Sequence, residues 1–258
     1  MIIDVNASLG PYPFRSLPHH APADMARLME RSGIARAAVA WTPAVFYRDT
    51  HRGNEELRAA IRPYGDRFVP VATINPGYAG WERDLTEAVE AWRWKAVALA
   101  PEFHGYALND AKGRAALARI AALGVPVVLT QRLEDRRQRH AWDRAEDLTQ
   151  PALIEAARAH PALKFLLVNW LGLDGAKLAE AGLRGRVLID LARLQVVFRK
   201  DVPRLLDTLG PDAVAFGSHA PFDYVGPSLV KLDNLRLTRP DAYAAVASRN
   251  AAAFLGLE

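Results

Sequence analysis

The opening of the chain, MIIDVNASLG at residues 1–10, is an apolar run that ends in a short polar turn. Runs of the same kind recur along the whole sequence, each rich in β-branched or other apolar residues. They are IIDV at 2–5, AAVAW at 37–41, FVPVATI at 68–74, KAVALA at 95–100, PVVLT at 126–130, KFLLV at 164–168, RVLID at 186–190 and AVAFG at 213–217. Because these eight runs are continuous and do not alternate with polar residues, they indicate strands buried on both faces of a parallel sheet.

Segments with helical spacing separate these runs. PADMARLMERSG at 22–33 places Met25, Leu28 and Met29 on one face, and Gly33 follows as a stop signal. A last helix is predicted at about 240–254, and 258 residues is close to the usual length of one α/β barrel. The pattern predicts an α/β fold, a single (β/α)8 TIM barrel with a C-terminal helix that forms one domain over residues 1–258. A doubly wound open sheet is the alternative.

Composition narrows the classes of partner. The net charge is +4, yet acidic and basic residues are interspersed without a basic stripe, so binding to nucleic acid is not expected. The chain has no cysteine, which excludes disulfides, thiolate metal sites and a cysteine nucleophile. The apolar runs are too short to span a bilayer and no charged leader precedes them, so a cytoplasmic location without membrane attachment is expected.

Polar side chains follow almost every apolar run. In a parallel barrel the carboxyl ends of the strands form the active-site face, so these residues are expected to meet there. They are Asn6 and Ser8; Trp41 and Thr42; Asn75; Glu102 and His104; Thr130, Gln131 and Arg132; Asn169 and Trp170; Asp190; and Ser218 and His219. The sequence therefore predicts a strongly polar pocket at one end of the barrel.

Several pieces of the chain, taken in their order and spacing, resemble one known family. They are MIIDV at the start, NP after the third run, PEFHGYALND after the fourth, GVPVVLTQR, HPALKFLLVNWLG, FGSHAPF and, in the last helix, RNAAAFLGL. Over nearly its whole length the chain is similar to the amidohydrolase-related TIM-barrel hydrolases and decarboxylases, amidohydrolase family 2. The resemblance implies hydrolysis of a C–O or C–N bond, or else decarboxylation.

The positions of the family's metal ligands carry other residues in this chain. The replacements are Asn6 and Ser8 in place of His-x-His, Thr130 or Gln131 and Asn169 in place of two further histidines, and His219 in place of an aspartate. Catalytic zinc usually has about three ligands from His, Asp, Glu or Cys, and neutral amides or hydroxyls are poor substitutes. The resemblance therefore implies a divergent branch without the metal-ligand histidines, and no metal or other cofactor is expected.

His219 is the predicted catalytic base, because imidazole titrates near neutral pH and its turn occupies the place of the family's aspartate. Asp190 or His104 is expected to support it. A displaced site for zinc or manganese, made by Glu102, His104, Asp190 and His219 at the ends of three strands, is the alternative.

The predicted substrate-binding residues are of two kinds. Amide and hydroxyl groups at the pocket floor can donate and accept hydrogen bonds, and arginines can clamp a carboxylate with two donors. The long segment after the fifth run, TQRLEDRRQRHAWDR at 130–144, is the densest in charged groups. The full set is Asn6, Ser8, Arg15, Arg132, Glu134, Arg137, His140 and Asn169.

Together these features favour an enzyme that acts on a small anionic molecule. The leading prediction is a hydrolase of a carboxylated lactone or amide that works by metal-independent general acid/base chemistry. A lactone is easier to hydrolyse than an amide when no Lewis acid activates the water nucleophile. Two alternatives stay open, a non-catalytic barrel that binds a metabolite and a metal-free decarboxylase. A homodimer through the exposed helices of the barrel is a further expectation.

Overall fold

The computed structural model of the protein describes residues 1–195 and 200–257. Eight parallel strands follow one another around a single sheet in chain order. They are β1 Ile2–Leu9, β2 Ile34–Trp41, β3 Phe68–Ile74, β4 Ala96–Leu99, β5 Val127–Thr130, β6 Phe165–Val168, β7 Val187–Asp190 and β8 Val214–Ala215. At the seam, the backbone N–H of Val5 donates to the Phe216 carbonyl at 3.0 Å, and that of Ser8 donates to the Ala220 carbonyl at 2.9 Å. The prediction of a (β/α)8 barrel is confirmed.

Helices surround the barrel. They are α1 Pro22–Arg31, α2 Thr50–Ile61, α3 Trp81–Thr86, α4 Pro101–His104, α5 Ala111–Leu123, α6 Gln150–Ala159, α7 Gly175–Glu180, α8 Asp201–Leu209, α9 Val225–Thr238, α10 Pro240–Ala244 and α11 Asn250–Leu255. A π-helical turn at Ala245–Arg249 joins α10 to α11, so together they form the C-terminal helix predicted from the sequence. None of the helices in the described ranges is both long and apolar enough to cross a membrane.

The strand side chains divide the core into two layers. In β3, Val69 and Val71 pack inside the barrel, whereas Phe68, Ala72 and Ile74 pack in the layer between strands and helices. Successive side chains of a strand point to opposite faces, so a strand with both faces buried is apolar throughout. This alternation decides which strand-end residues reach the inside of the barrel.

β1 is longer than the sequence predicted, which corrects the place of Asn6 and Ser8. The strand runs to Leu9, so both residues lie within it and not in a turn beyond it. Its pairing with β2 shifts between Asp4, opposite Ala37, and Ala7, opposite Val39, which leaves one extra residue in β1. Such a bulge re-aims the side chains that follow it. Asn6 and Ser8 consequently line the central cavity.

Candidate active site

A cavity opens inside the barrel at the carboxyl ends of the strands. Small apolar side chains form its inner wall: Val5, Ala38, Val71, Ala98, Val128 and Val168. Polar side chains stand nearer the strand ends: Asn6, Ser8, Thr42, Thr73, Glu102, Thr130, Gln131, Arg132 and His219. The volume of the cavity is about 90 Å³. The cavity therefore suits a small molecule with an apolar body.

His219 lies in the wall of this cavity with both ring nitrogens in hydrogen bonds. Nδ1 is 3.0 Å from Oδ2 of Asp223, and Nε2 is 2.8 Å from the amide nitrogen of Asn169. A carboxylate only accepts, so we assign the proton to Nδ1 and the lone pair to Nε2, where it accepts from the Asn169 amide. The ring also stacks on Phe222, with centroids 5.2 Å apart. His219 is thus oriented as a base, but its lone pair is already in use.

Asp190 does not hold His219, which corrects the prediction that it supports the histidine. The carboxylate is buried beneath the cavity, where it accepts the side-chain amide of Asn6 and, at 3.0 Å, the backbone N–H of Asn169. Burial raises the pKa of Asp190, and these two hydrogen bonds oppose the rise. The residue is a buried anchor for the two asparagines.

Asp223 is the carboxylate that holds His219 by a hydrogen bond, and the sequence pattern did not single it out. Burial acts to raise its pKa, but the hydrogen bond from His219 and the charges of Arg193 and Lys231 outweigh it, so the pKa of Asp223 is lowered. Arg193 lies 3.3 Å from its Oδ2 and also donates to the side-chain oxygen of Asn169 at 3.2 Å. The available signal was the spacing, since Asp223 lies one helical turn after His219.

Glu102 is the cavity residue whose protonation is most altered. It lies in α4, directly after β4, and burial raises the pKa of Glu102 to about 7. The negative charge of Asp147 adds to the rise, while the residue's own backbone N–H opposes it. A carboxyl group with this pKa holds a proton about half of the time at neutral pH. It can therefore act as an acid or as a base in the cavity.

Arg15 and Glu134 were both predicted to bind substrate, but they bind each other. Nε of Arg15 donates to Oε1 of Glu134 at 2.6 Å, and the hydroxyl of Tyr12 donates to Oε2 at 2.9 Å. Glu134 is 2% exposed. These bonds fasten the segment after β5 to the segment after β1.

The two other predicted arginines are also paired with carboxylates. Arg137 is exposed and held by Asp135 through two hydrogen bonds, at 3.0 and 3.1 Å, so it faces solvent. Arg132 lines the cavity and forms an ion pair with Asp147. Its Nε is buried and has no hydrogen-bond partner within the described residues. Of the predicted clamps, Arg132 is the one that lines the cavity.

The two remaining predicted histidines lie away from the cavity wall. His140 stacks on Phe14, with ring centroids 4.9 Å apart, and also contacts Trp142. His104 packs beside the backbone of Ala44 and Val45, and burial lowers the pKa of His104 to about 4. Both ring nitrogens of His104 are without a hydrogen-bond partner within the described residues, so no hydrogen bond joins it to His219, and its assistance to His219 stays a prediction.

The fold and the site define the class of protein. It is a (β/α)8 barrel with a partly enclosed cavity at the carboxyl ends of its eight parallel strands. A model of the amidohydrolase family matches residues 4–257. The chain therefore belongs to this amidohydrolase family, as the sequence motifs indicated. None of the curated proteins matches the chain.

Solved structures share the fold at low sequence identity. A 2,6-dihydroxybenzoate decarboxylase from Rhizobium is 14% identical, with a TM-score of 0.74 over 99% of this chain and 98% of that one. An uncharacterised amidohydrolase from Staphylococcus aureus is 14% identical, with a TM-score of 0.75 over 99% of each chain. A dihydroxybenzoic acid decarboxylase from Polaromonas, with bound manganese and 2-nitroresorcinol, is 16% identical, with a TM-score of 0.72 over 99% and 97%. At these identities the likeness shows the fold alone.

The residues at the family's metal positions do not fit a zinc or manganese site. The amides of Asn6 and Asn169 are bonded to Asp190 and His219, and the lone pair of His219 accepts from Asn169. The part of the chain that the structure describes contains no group of three or more His, Asp or Glu side chains placed to hold a metal ion. Glu102, His104, Asp190 and His219 therefore do not form the displaced site considered above.

Proposed function

We propose that this protein is a cytoplasmic, metal-independent enzyme that decarboxylates a small carboxylic acid with an apolar body. Glu102 is the proton donor, and its pKa of about 7 inside an apolar cavity is the observation that carries the proposal. When the carboxylate leaves as CO₂, its bond pair stays on carbon and must take up a proton. A neutral carboxylic acid in the cavity supplies that proton at neutral pH and regains it from water.

The substrate carboxylate is assigned to Arg132. Arg132 lines the cavity, and its buried Nε has no partner within the described residues. Asp147 pairs with Arg132, and the negative charge of Asp147 also contributes to the raised pKa of Glu102. The acid and the arginine therefore lie in one region of the cavity. A carboxylate held by Arg132 would place the carbon that loses CO₂ near the proton of Glu102. The decarboxylases among the structural neighbours suggest the same reaction type.

Hydrolysis of a carboxylated lactone is the second candidate, and the pair of His219 and Asp223 is the observation that favours it. A carboxylate that fixes the tautomer of a histidine is a common arrangement for a general base. In this protein the lone pair of His219 accepts from Asn169, so Asn169 must turn away before His219 can activate water. Decarboxylation requires no such change, and for this reason it is the first candidate.

Glu102→Gln tests the proposal, with Glu155→Gln on the exposed side of α6 as the matched control. CO₂ release would be measured with benzoate, the hydroxybenzoates and 2,6-dihydroxybenzoate, and hydrolysis with a carboxylated lactone, 5-carboxyphthalide. Removal of a general acid costs a factor of about 100 or more, so we expect that loss in Glu102→Gln and none in Glu155→Gln. The native rate should fall as the pH rises above about 7, because the protonated acid is required.

Two results would contradict this proposal. One is a rate of decarboxylation that is unchanged in Glu102→Gln or that rises with pH through 7. The other is stoichiometric zinc, manganese or iron in protein purified without chelators, together with loss of turnover on dialysis against EDTA. Tight binding without any turnover would favour the non-catalytic, metabolite-binding barrel. The expectations of a homodimer and of no contact with nucleic acid or membranes stay predictions.

A further inference from the structure

Two threonines in the cavity wall carry hydroxyl groups with no protein partner. Thr42 and Thr73 are 2% and 1% exposed and both line the cavity. Within the described residues, neither Oγ1 has a hydrogen-bond partner. Buried hydroxyls are nearly always paired, so two unpaired ones in the wall of one cavity need an explanation, and a bound ligand is one.

The alternation of β2 and β3 places both side chains on the inner face of the barrel. Ala38 and Ala40 face inward in β2, and Thr42 continues that alternation at the strand end. Val69 and Val71 face inward in β3, and Thr73 continues the same alternation. The two strands are neighbours in the sheet, so the two threonines belong to one side of the cavity.

Helix α2 holds the backbone of both threonines. The side chain of Asn54 accepts the N–H of Thr73 and donates to its carbonyl, both at 2.9 Å. A Cβ on the preceding Gly53 would lie 2.6 Å from the Cβ of Ala44, so α2 packs directly on the turn that Thr42 begins. Two adjacent residues of α2, Gly53 and Asn54, thus hold the backbone near Thr42 and at Thr73. A site built on fixed backbone loses little entropy when a ligand binds.

The hydroxyls can reach a ligand without breaking any protein bond. Both Oγ1 atoms are buried as they stand. A rotation of about 120° about the Cα–Cβ bond brings the hydroxyl to the position of the methyl group, which is similar in size, while the methyl group takes the position of the hydrogen on Cβ. Neither hydroxyl gives up a hydrogen bond when it turns, because neither has one.

We propose that Thr42 and Thr73 form a neutral subsite that hydrogen-bonds a hydroxyl or carbonyl oxygen of the substrate. This inference rests on the proposed function, and it defines the substrate class further. The substrate is a small carboxylic acid with one additional uncharged oxygen, bound through its carboxylate at Arg132 and through that oxygen at the two threonines. A second carboxylate is disfavoured there, because neutral hydroxyls cannot balance a buried charge.

The test is a set of binding titrations with three matched pairs of compounds, the 2-, 3- and 4-hydroxybenzoates and the corresponding methylbenzoates. Each pair differs by a hydroxyl in place of a methyl group of similar size. Calorimetry would give the Kd for native protein, for Thr42→Val with Thr73→Val, and for the two serine variants. Thr208→Val in α8 is the control for the same exchange at a distant site. For at least one pair the native protein should prefer the hydroxyl compound by about tenfold.

The valine double variant should lose that preference to within about twofold, while the serine variants and Thr208→Val keep it. The double variant should also melt no lower than native protein, because no protein hydrogen bond is removed. A native preference that survives in the double variant, or no preference in the native protein, overturns the inference and leaves the proposed function standing. If none of the six compounds binds the native protein, the proposed function fails as well.

Discussion

Replacing Asp4 by asparagine should remove a large part of the pH dependence of unfolding between pH 4 and 8. Oδ1 of Asp4 accepts the N–H of Asn6 at 2.9 Å and that of Ser218 at 3.0 Å, and so ties β1 to the segment after β8 at the barrel seam. The carboxyl group is 2% exposed. Burial raises the pKa of Asp4 from 3.8 to about 7, against hydrogen bonds from Ser218 and Asn6 that lower it.

The raised pKa sets the sign and the size of the effect. The folded protein binds this proton more tightly than the unfolded chain, so the stabilisation is complete below pH 3.8 and is lost as the pH rises through about 7. The difference between these two pKa values corresponds to about 4 kcal/mol in the free energy of unfolding, at about 1.36 kcal/mol for each pKa unit. Asparagine resembles the protonated acid, keeps an oxygen for both N–H groups and does not titrate.

Urea denaturation at half-unit steps from pH 4 to 8 measures this effect. The free energy of unfolding of native protein, minus that of Asp4→Asn, should decrease by about 4 kcal/mol across the range. Asp233→Asn is the control, because that side chain is 64% exposed in α9 and no comparable change is expected. A native-minus-variant difference that stays constant within about 1 kcal/mol would refute the reasoning, since it would mean that Asp4 has an ordinary pKa in the folded protein.

Two further predictions concern the cavity and its cover. His219→Ala should abolish any hydrolysis of 5-carboxyphthalide, yet leave CO₂ release within about tenfold of native, because Glu102 supplies that proton. Equal loss of both activities would place His219 in the decarboxylation as well. Glu134→Gln should lower the free energy of unfolding by about 2 kcal/mol and speed proteolytic cleavage after β5, because the variant loses the charge that Arg15 pairs with. Cleavage at the native rate would show that this ion pair does not fasten the segment.

Much of the fold could be predicted because strand burial is a local property of sequence. All eight apolar runs became strands, and β3 matches its predicted range of 68–74. The bulge in β1 could not be predicted, because it depends on pairing with β2, whose contacts lie more than thirty residues along the chain. Thr73 was hard to recognise as a cavity residue, because a strand buried on both faces shows no alternation of apolar and polar residues in its sequence. In the structure Thr73 continues the inner face formed by Val69 and Val71.

The site was predicted in part. The sequence placed His219, Asn169 and Asn6 at one end of the barrel, and the structure brings their side chains into one connected group with Asp190. It did not indicate that Asp223 orients His219.

The sequence by itself determined the barrel, the face on which polar groups collect and the replacement of the family's metal ligands, because each follows from residue type and local order. The tertiary structure alone decided which charges are available to a ligand. Arg15 and Glu134 are 119 positions apart, yet they pair with each other. Ionic pairing depends on distance in space, and burial sets the pKa of a carboxyl group such as Glu102. MIIDVNASLG thus encodes a strand, whereas its closure against Ser218 and Ala220 buries Asp4, and that burial raises the pKa of Asp4. The bulge in β1, which depends on pairing with β2, gives Asn6 its place in the cavity.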